Sequence, residues 1–330
     1  MPLPSVRVVA IGRFEFQEMP LQPPGDHEVL IRVDVTGLCR TDLKIVQVGH
    51  RDLVLPRVPG EEVVGTIEAV GDGVRQFQPG ERVYVYPGVW CGQCPACRAG
   101  AENLCRQMQI MGFHRDGGFA SHVTVPAQSV IPVPEGLAAD AAVFAEPLSC
   151  CLNALERASL QPGERIGIWG AGPAGTLLAR AARALGAEPL NIETDRRRRE
   201  LIGGVATADG NLFDVAVVAV GDQKAYQESL AHLLPRGRLV VFSGLPPDDD
   251  RPDLSFNQLH YMEQTLVGAY GCCYRHGQEA LAMIAEGRVP VADMVSHRLP
   301  LSQLDAALDL VAQRAGMKIL LYPWQEETAG

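Results

Sequence analysis

The sequence predicts two architectures in one chain: a β-rich unit and a doubly wound α/β unit with a parallel sheet. Three observations carry this. At 330 residues the chain exceeds what one hydrophobic core usually organises. Up to about residue 148, short apolar runs are punctuated by Pro and Gly, the pattern of strands joined by many turns. From Gly163 onward, apolar runs closed by Gly or an acid alternate with helix-forming stretches, the pattern of a parallel sheet covered on both faces.

Taken in order, EVLIRVDV (28–35), VVGTIEAVG (63–71) and RVYVYP (82–87) read as strands of the first unit. ERIGIWG (164–170) is an apolar strand ending at glycine, and PAGTLLARAARAL (173–185) has helical spacing. PLNIE (189–193), FDVAVVAVG (213–221) and RLVVFSG (238–244) continue the parallel set. Beyond about Tyr270, GQEALAMIAEGRV (277–289) reads as a helix. PLSQLDAALDLVAQ (300–313) reads as another with Ser302 as its cap, and MKILLYP (317–323) as a last strand. No internal repeat or low-complexity linker is found.

Composition narrows the function classes. With 47% apolar and 21% charged residues the chain fits a soluble globular protein. A formal charge of −10 argues against nucleic-acid partners, which need clustered Lys and Arg. The one basic run, Arg196–Arg199, is followed by Glu200 and reads as a solvated helix face. No apolar stretch approaches a bilayer span, and MPLPSVRVV lacks the pattern of a signal peptide. The expectation is therefore a cytoplasmic protein with no membrane partner. Its nine cysteines then read as thiolate ligands or buried thiols rather than disulfides.

Gly170-Ala171-Gly172-Pro173-Ala174-Gly175 is a G-x-G-x-x-G that follows a strand, opens a helix and is followed by Glu193 at the end of the next strand. That context makes it a dinucleotide turn. Gly170 permits the tight turn, Gly172 a close approach of the pyrophosphate, and Gly175 close helix–sheet packing. The helix N-terminus supplies N–H donors to phosphates. Glu193 is expected to accept the adenosine ribose hydroxyls and to repel a 2′-phosphate, which favours NAD over NADP. The arginines just after it keep NADP open.

Cys91, Cys94, Cys97 and Cys105 share the short loop CGQCPACRAGAENLC. Four thiolates so spaced suit a closed tetrahedral zinc of structural type. An iron–sulfur cluster is the main competitor, but the loop lacks the bacterial three-residue gap and proline.

With these sites in hand the chain resembles the zinc-dependent medium-chain alcohol and polyol dehydrogenases. The resemblance runs nearly end to end: GLCRTDLK (37–44), PGEEVVGTIEAVG (59–71), the cysteine lobe, RDGGFASHV (115–123), AEPLSC (145–150) and GAGPAG (170–175). It implies a GroES-like β domain at residues 1–148, with the zinc lobe at about 87–108. A Rossmann NAD-binding domain is inserted at 149–270, and the chain returns to the first domain over 271–330.

The resemblance also implies two zincs per chain. The second, catalytic one falls to Cys39, to the position after Pro59-Gly60, and to Glu146. That middle position, a histidine in the family, is Glu61 here, and the glutamate that follows it, Glu62, is a further candidate catalytic residue and an alternate ligand. A carboxylate can ligate zinc. One thiolate and two carboxylates nevertheless exceed the metal's charge, which weakens it as a Lewis acid unless a cation such as Lys44, His50 or Arg51 lies near. Asp42, expected behind the missing imidazole, faces another acid.

Thr41 matches the first hydroxyl of the family's proton relay, and Lys44 stands where a relay histidine often follows. Lys44 serves only if its pKa is lowered, for instance by burial. Arg198 matches a cation on the adenosine ribose. His114 reads as a cleft residue or a structural one, and Cys150-Cys151 and Cys272-Cys273 as buried small residues. The segment after Glu193 is shorter than the family's, implying a trimmed Rossmann half.

The implied reaction is hydride transfer between NAD and a secondary alcohol, polyol or cyclitol, giving the ketone. The partners are then a small alcohol or ketone and further copies of the chain in a homodimer or homotetramer. Two other readings stand beside it: a zinc-free reductase of the same superfamily, and a silent NAD-binding protein keeping only the structural zinc.

Overall fold

The computed structural model describes residues 3–325, with Pro247 described by its backbone alone. The chain opens with a hairpin of β1 (Pro4–Ala10) and β2 (Arg13–Glu18). Strand β3 (Glu28–Leu38) follows, and its Val29, Ile31, Val33 and Val35 are wholly buried, the mark of a central strand. Helix α1 (Arg40–Gln47) starts immediately after it. Next come β4 (Glu62–Val70), β5 (Arg82–Val85), and the small lobe of β6 (Gly88–Val89), α2 (Pro95–Arg98) and β7 (Gln109–Ile110). Strands β8 (His122–Pro126) and β9 (Val130–Pro132) and the short α3 (Ala139–Ala142) complete this part, and helix α4 (Ala145–Arg157) carries the chain into the second unit at Pro147.

The second unit is an alternation of strands and helices. Its strands are β10 (Arg165–Trp169), β11 (Glu188–Ile192), β12 (Phe213–Val218), β13 (Leu233–Val241) and β14 (Thr265–Gly268). Its helices are α5 (Pro173–Ala184), α6 (Arg196–Ile202), α7 (Gln223–Ala231) and α8 (Phe256–Tyr261). The sheet is parallel throughout, in the order β11-β10-β12-β13-β14. The order reverses at β10, so the crevice beyond its C-terminal end is a topological switch point, the place where open α/β sheets bind ligands. After β11 the chain makes only α6 and a single bridge, Ile192–Val205, before crossing to β12. The shortened segment has thus cost the sheet one edge strand, and β11 is its edge.

The chain then returns through α9 (Tyr274–Ala285), β15 (Val295–Pro300), α10 (Leu304–Ala312) and β16 (Lys318–Tyr322). Ser302 is not a cap: it lies in the 3-10 turn Leu301–Gln303, and Gln303 holds the cap position of α10. In the first unit's large sheet the order is β15-β16-β3-β4-β5-β9, with β8 also on β3. The returning strand β16 therefore lies beside β3, opposite β4. One core cluster joins α1, α10 and β1 through Val6, Ile45, Leu304 and Leu321, and a second fills the face of β3 and β4.

The chain divides into two compact units, with the breaks at Glu146/Pro147 and Cys272/Cys273. The second unit also takes Glu286–Pro290. Among the described residues no helix is long and apolar enough to cross a membrane.

Candidate active site and metal lobe

The cysteine lobe is built by turns. Cys94 sits at the N-cap of α2 with Pro95 at the first helical position, where a missing N–H costs nothing. All four sulfurs lie within 4.8 Å of one another, with Cys94–Cys97 at 3.4 Å, Cys105–Cys91 at 3.5 Å and Cys91–Cys97 at 3.9 Å. A zinc with bonds of about 2.3 Å in a tetrahedron sets its sulfurs about 3.8 Å apart, whereas a disulfide needs about 2.05 Å. The spacing therefore fits the metal. Backbone N–H groups of Cys97 and Arg106 pull the Cys94 thiol down to about 6, and those of Gln93 and Cys94 lower Cys91. Both shifts favour the thiolates a metal needs, while burial and the neighbouring Cys94 and Cys105 thiols push Cys97 the other way, up to about 12. The lobe is tied to the returning chain: Tyr274 N–H donates to Glu102 Oε1 (2.7 Å), and the Cys273 thiol donates to Asn103 Oδ1 (3.2 Å).

The glycine turn occupies the switch point. Gly170 has φ +115°, a conformation that side chains disfavour. A Cβ on Gly175 would lie 2.1 Å from the Gly170 carbonyl oxygen, so only glycine fits there. Gly172 caps α5, Pro173 and Ala174 begin it, and a Cβ on Gly172 would meet Arg198 Nη1 at 3.3 Å. Arg198 is thus placed over the turn rather than in solvent. Glu193 is buried at the end of β11; its Oε2 accepts the Ala171 N–H (2.8 Å) and its Oε1 the Asp195 N–H (2.9 Å). Asn191, missed in the sequence, donates Nδ2 to the carbonyls of Gly170 (3.0 Å) and Gly175 (3.1 Å) and so fastens the turn to β11. The only sequence signal for it is a polar residue inside the apolar run PLNIE.

The remaining site residues belong to the first unit. Cys39 is the N-cap of α1, and Asp42 Oδ2 accepts its N–H (2.9 Å), a capping arrangement that fixes both residues. Burial pushes the Cys39 thiol well up; Asp42, Glu62 and Glu61 raise it further, and Lys318 opposes them. Burial also lifts Asp42 to about 6, and its Oδ1 has no hydrogen-bond partner among the described residues. Glu61 is half-buried, its Cγ close to Gly112, and Glu146 is half-buried in the first turn of α4.

The unforeseen residue is Lys318. It is 2% exposed, and its Nζ donates to both Glu62 oxygens at 2.6 Å. Burial alone would depress its pKa, but Glu62, Cys39 and Glu146 outweigh burial and raise it. The pair spans β3 at Gly37, where a Cβ would lie 1.9 Å from Glu62 Oε2; only a bare backbone leaves room for it.

Several expectations change accordingly. Glu62 is held by Lys318 rather than offered to metal or substrate. The cation among these carboxylates is Lys318, not Lys44, His50 or Arg51. Lys44 is exposed in the last turn of α1, without the burial a relay lysine needs. Burial lowers His50, which works against its carrying a charge, and Arg51 points out to Asp52 (3.3 Å). Thr41 is half-buried on α1, two residues past Cys39. His114 Nδ1 accepts the Ile110 N–H (3.1 Å), a structural task.

Cys39, Glu61 and Glu146 do not close into a set with all ligand atoms within 4.8 Å of one another. Cys39 and Glu146 nonetheless both act on Lys318, and Glu61 acts on Cys39. A cysteine sulfur and two carboxylates are donors of a type that can hold a divalent metal.

Residues 25–135 match the family of the alcohol dehydrogenase GroES-like domain. L-galactonate-5-dehydrogenase of Escherichia coli (strain K12) is 31% identical over 308 residues, 87% of this chain and 88% of that protein. Sorbitol dehydrogenase of Bacillus subtilis (strain 168) is 31% identical over 335 residues, 94% of each chain. A crystal structure from Sinorhizobium meliloti 1021, described as a zinc-binding dehydrogenase bound to NADP, superposes with a TM-score of 0.90 at 26% identity. It covers 98% of this chain and 100% of that one. By sequence and by fold, then, the chain belongs to the zinc-dependent medium-chain alcohol and polyol dehydrogenases.

Proposed function

We propose that this chain oxidises a secondary alcohol or polyol to the ketone, with NAD accepting the hydride. The observation that carries the cofactor is the Glu193 carboxylate, fixed at the end of β11 by the N–H groups of Ala171 and Asp195. Its charge suits a ribose diol and repels a 2′-phosphate. The Gly172 turn and the α5 N-terminus present N–H groups to the pyrophosphate, with Arg198 beside them. Polyol-directed relatives support the substrate class.

Two zincs per chain are proposed, one on the four lobe cysteines and one for Cys39, Glu61 and Glu146. The second, when bound, supplies Lewis-acid polarisation of the substrate oxygen. The half-buried Thr41 hydroxyl, two residues past Cys39, would take the alcohol proton, and NAD, when bound, would supply the hydride acceptor. Lys318 neutralises Glu62, which leaves Cys39, Glu61 and Glu146 as the residues that would hold the metal. Asp42 holds the Cys39 backbone in place.

Metal analysis with an NAD-linked polyol panel tests this reading. Two zincs and turnover are expected; one zinc and no turnover on any alcohol rejects it. That outcome would favour a silent NAD-binding protein, the reading suggested by the failure of Cys39, Glu61 and Glu146 to close within 4.8 Å. Glu61→His restores an imidazole. If the Glu61 carboxylate merely weakens the metal, this variant keeps or gains activity.

A further inference from the structure

The inserted unit begins at Pro147 and ends at Cys272, and a thiol stands near each end. Cys150 lies on α4 and Cys272 follows β14, with their sulfurs within 4.8 Å of each other and Glu146, one turn earlier on α4, offering a carboxylate oxygen within the same distance. Two hydrogen bonds hold these backbone segments side by side: Asn153 Nδ2 donates to the carbonyls of Tyr270 (3.4 Å) and Gly271 (2.8 Å). Cys150 is half-buried, so a small oxidant can reach it, while Cys272 is buried against it. The sequence neighbours turn elsewhere. The Cys151 thiol donates to the Ala174 carbonyl (3.6 Å), and Cys273 is bound to the cysteine lobe. Adjacent cysteines that look redundant in sequence are thus sorted into one facing pair and two buried thiols with other partners.

We propose that Cys150 and Cys272 are a redox-modification site that forms a reversible disulfide under peroxide. The Cys150 thiolate attacks the peroxide; an S–O bond forms, the O–O bond breaks and one water leaves. The Cys272 sulfur then displaces the sulfenic hydroxyl as a second water, closing the S–S bond. In sum the two thiols give up two electrons and two protons to one peroxide, and a dithiol reverses the step. The sulfurs close their gap by side-chain rotation, since Asn153 already holds the segments together. The bond ties the start of the inserted unit to its end, a long loop of the kind whose closure restrains the unfolded chain most.

The test uses the metal-loaded protein as purified. It is treated with hydrogen peroxide, alkylated, digested without reduction and analysed by mass spectrometry, with melting followed in parallel. A Cys150–Cys272 linked peptide that dithiothreitol reverses is expected, together with a Tm raised by several degrees. Cys272→Ser should abolish both changes; if it folds poorly, alkylating the native protein before peroxide must abolish them instead. Cys150 linked to Cys151 or to a lobe cysteine, or recovered alkylated in full, overturns the proposal. So does protection of both thiols from alkylation without any linked peptide, which would mark a bound metal instead. None of these readouts depends on alcohol turnover, so failure here leaves the proposed reaction standing.

Discussion

Lys318→Met strands the Glu62 carboxylate in the centre of the first unit. The pair is 2% exposed on both sides and held at 2.6 Å, so solvent cannot reach in to replace the ammonium. Breaking a buried ion pair by removing one partner costs about 3–5 kcal/mol, because the remaining charge is uncompensated. For a unit of this size each kcal/mol moves Tm by about 2–4 °C, so a drop of about 6–20 °C is expected. Removing both charges in Glu62→Gln with Lys318→Met should recover most of the loss, since a neutral pair of similar volume is often no less stable. Calorimetry on the wild type, both single variants and the double variant completes the cycle. The ion pair should be insensitive to pH in the neutral range. The raised Lys318 pKa means its contribution is full below the unfolded value of about 10.4 and is lost only as pH climbs through the folded one. A loss below about 1 kcal/mol in both single variants, or a double variant no better than the worse single one, would refute the reasoning.

Four further outcomes are expected. Asp42 is raised to about 6 by burial, so in metal-free protein its contribution is full below about 3.9 and lost as pH rises through 6. Asp42→Asn, which keeps the acceptor for Cys39 N–H, should therefore stabilise metal-free protein at pH 7 by about 3 kcal/mol and flatten the slope between those values, as urea melts at several pH values would show. Gly175→Ala drives a methyl against the Gly170 carbonyl, and NAD titration should show affinity down by about tenfold or more, or the unit destabilised by about 1–3 kcal/mol. Cys97→Ser should remove one zinc per chain by metal analysis and open the 91–105 loop to proteases, while NAD binding persists. Among the described residues strand β14 pairs on one side only, and Leu266 within it and Tyr261 and Tyr270 in the flanking segments are exposed, so the chain should sediment as a dimer or tetramer. Charging that edge with Leu266→Lys should yield monomers.

Much of the fold was legible because its signals are local. The glycine turn, its preceding strand and Glu193 lie close in sequence, and their roles follow from backbone freedom and a helix end. The shortened stretch after Glu193 announced a smaller sheet, and the structure shows the lost edge as a lone Ile192–Val205 bridge. The Ser302 cap failed because a 3-10 turn took the residues before α10 and moved the cap to Gln303.

By itself, the sequence determined the two architectures, the cysteine lobe and the nucleotide turn, each set by residues within a few turns of chain. Only the tertiary structure decided how the buried carboxylates near Cys39 are balanced. Lys318 meets Glu62 across 256 positions because β16 and β4 flank β3 at a glycine, a coincidence of register that no local pattern records. The same holds for Cys150 facing Cys272 and for Asn191 under the glycine turn. Such contacts depend on which strands become neighbours, and that is settled by packing the whole core rather than by any one segment.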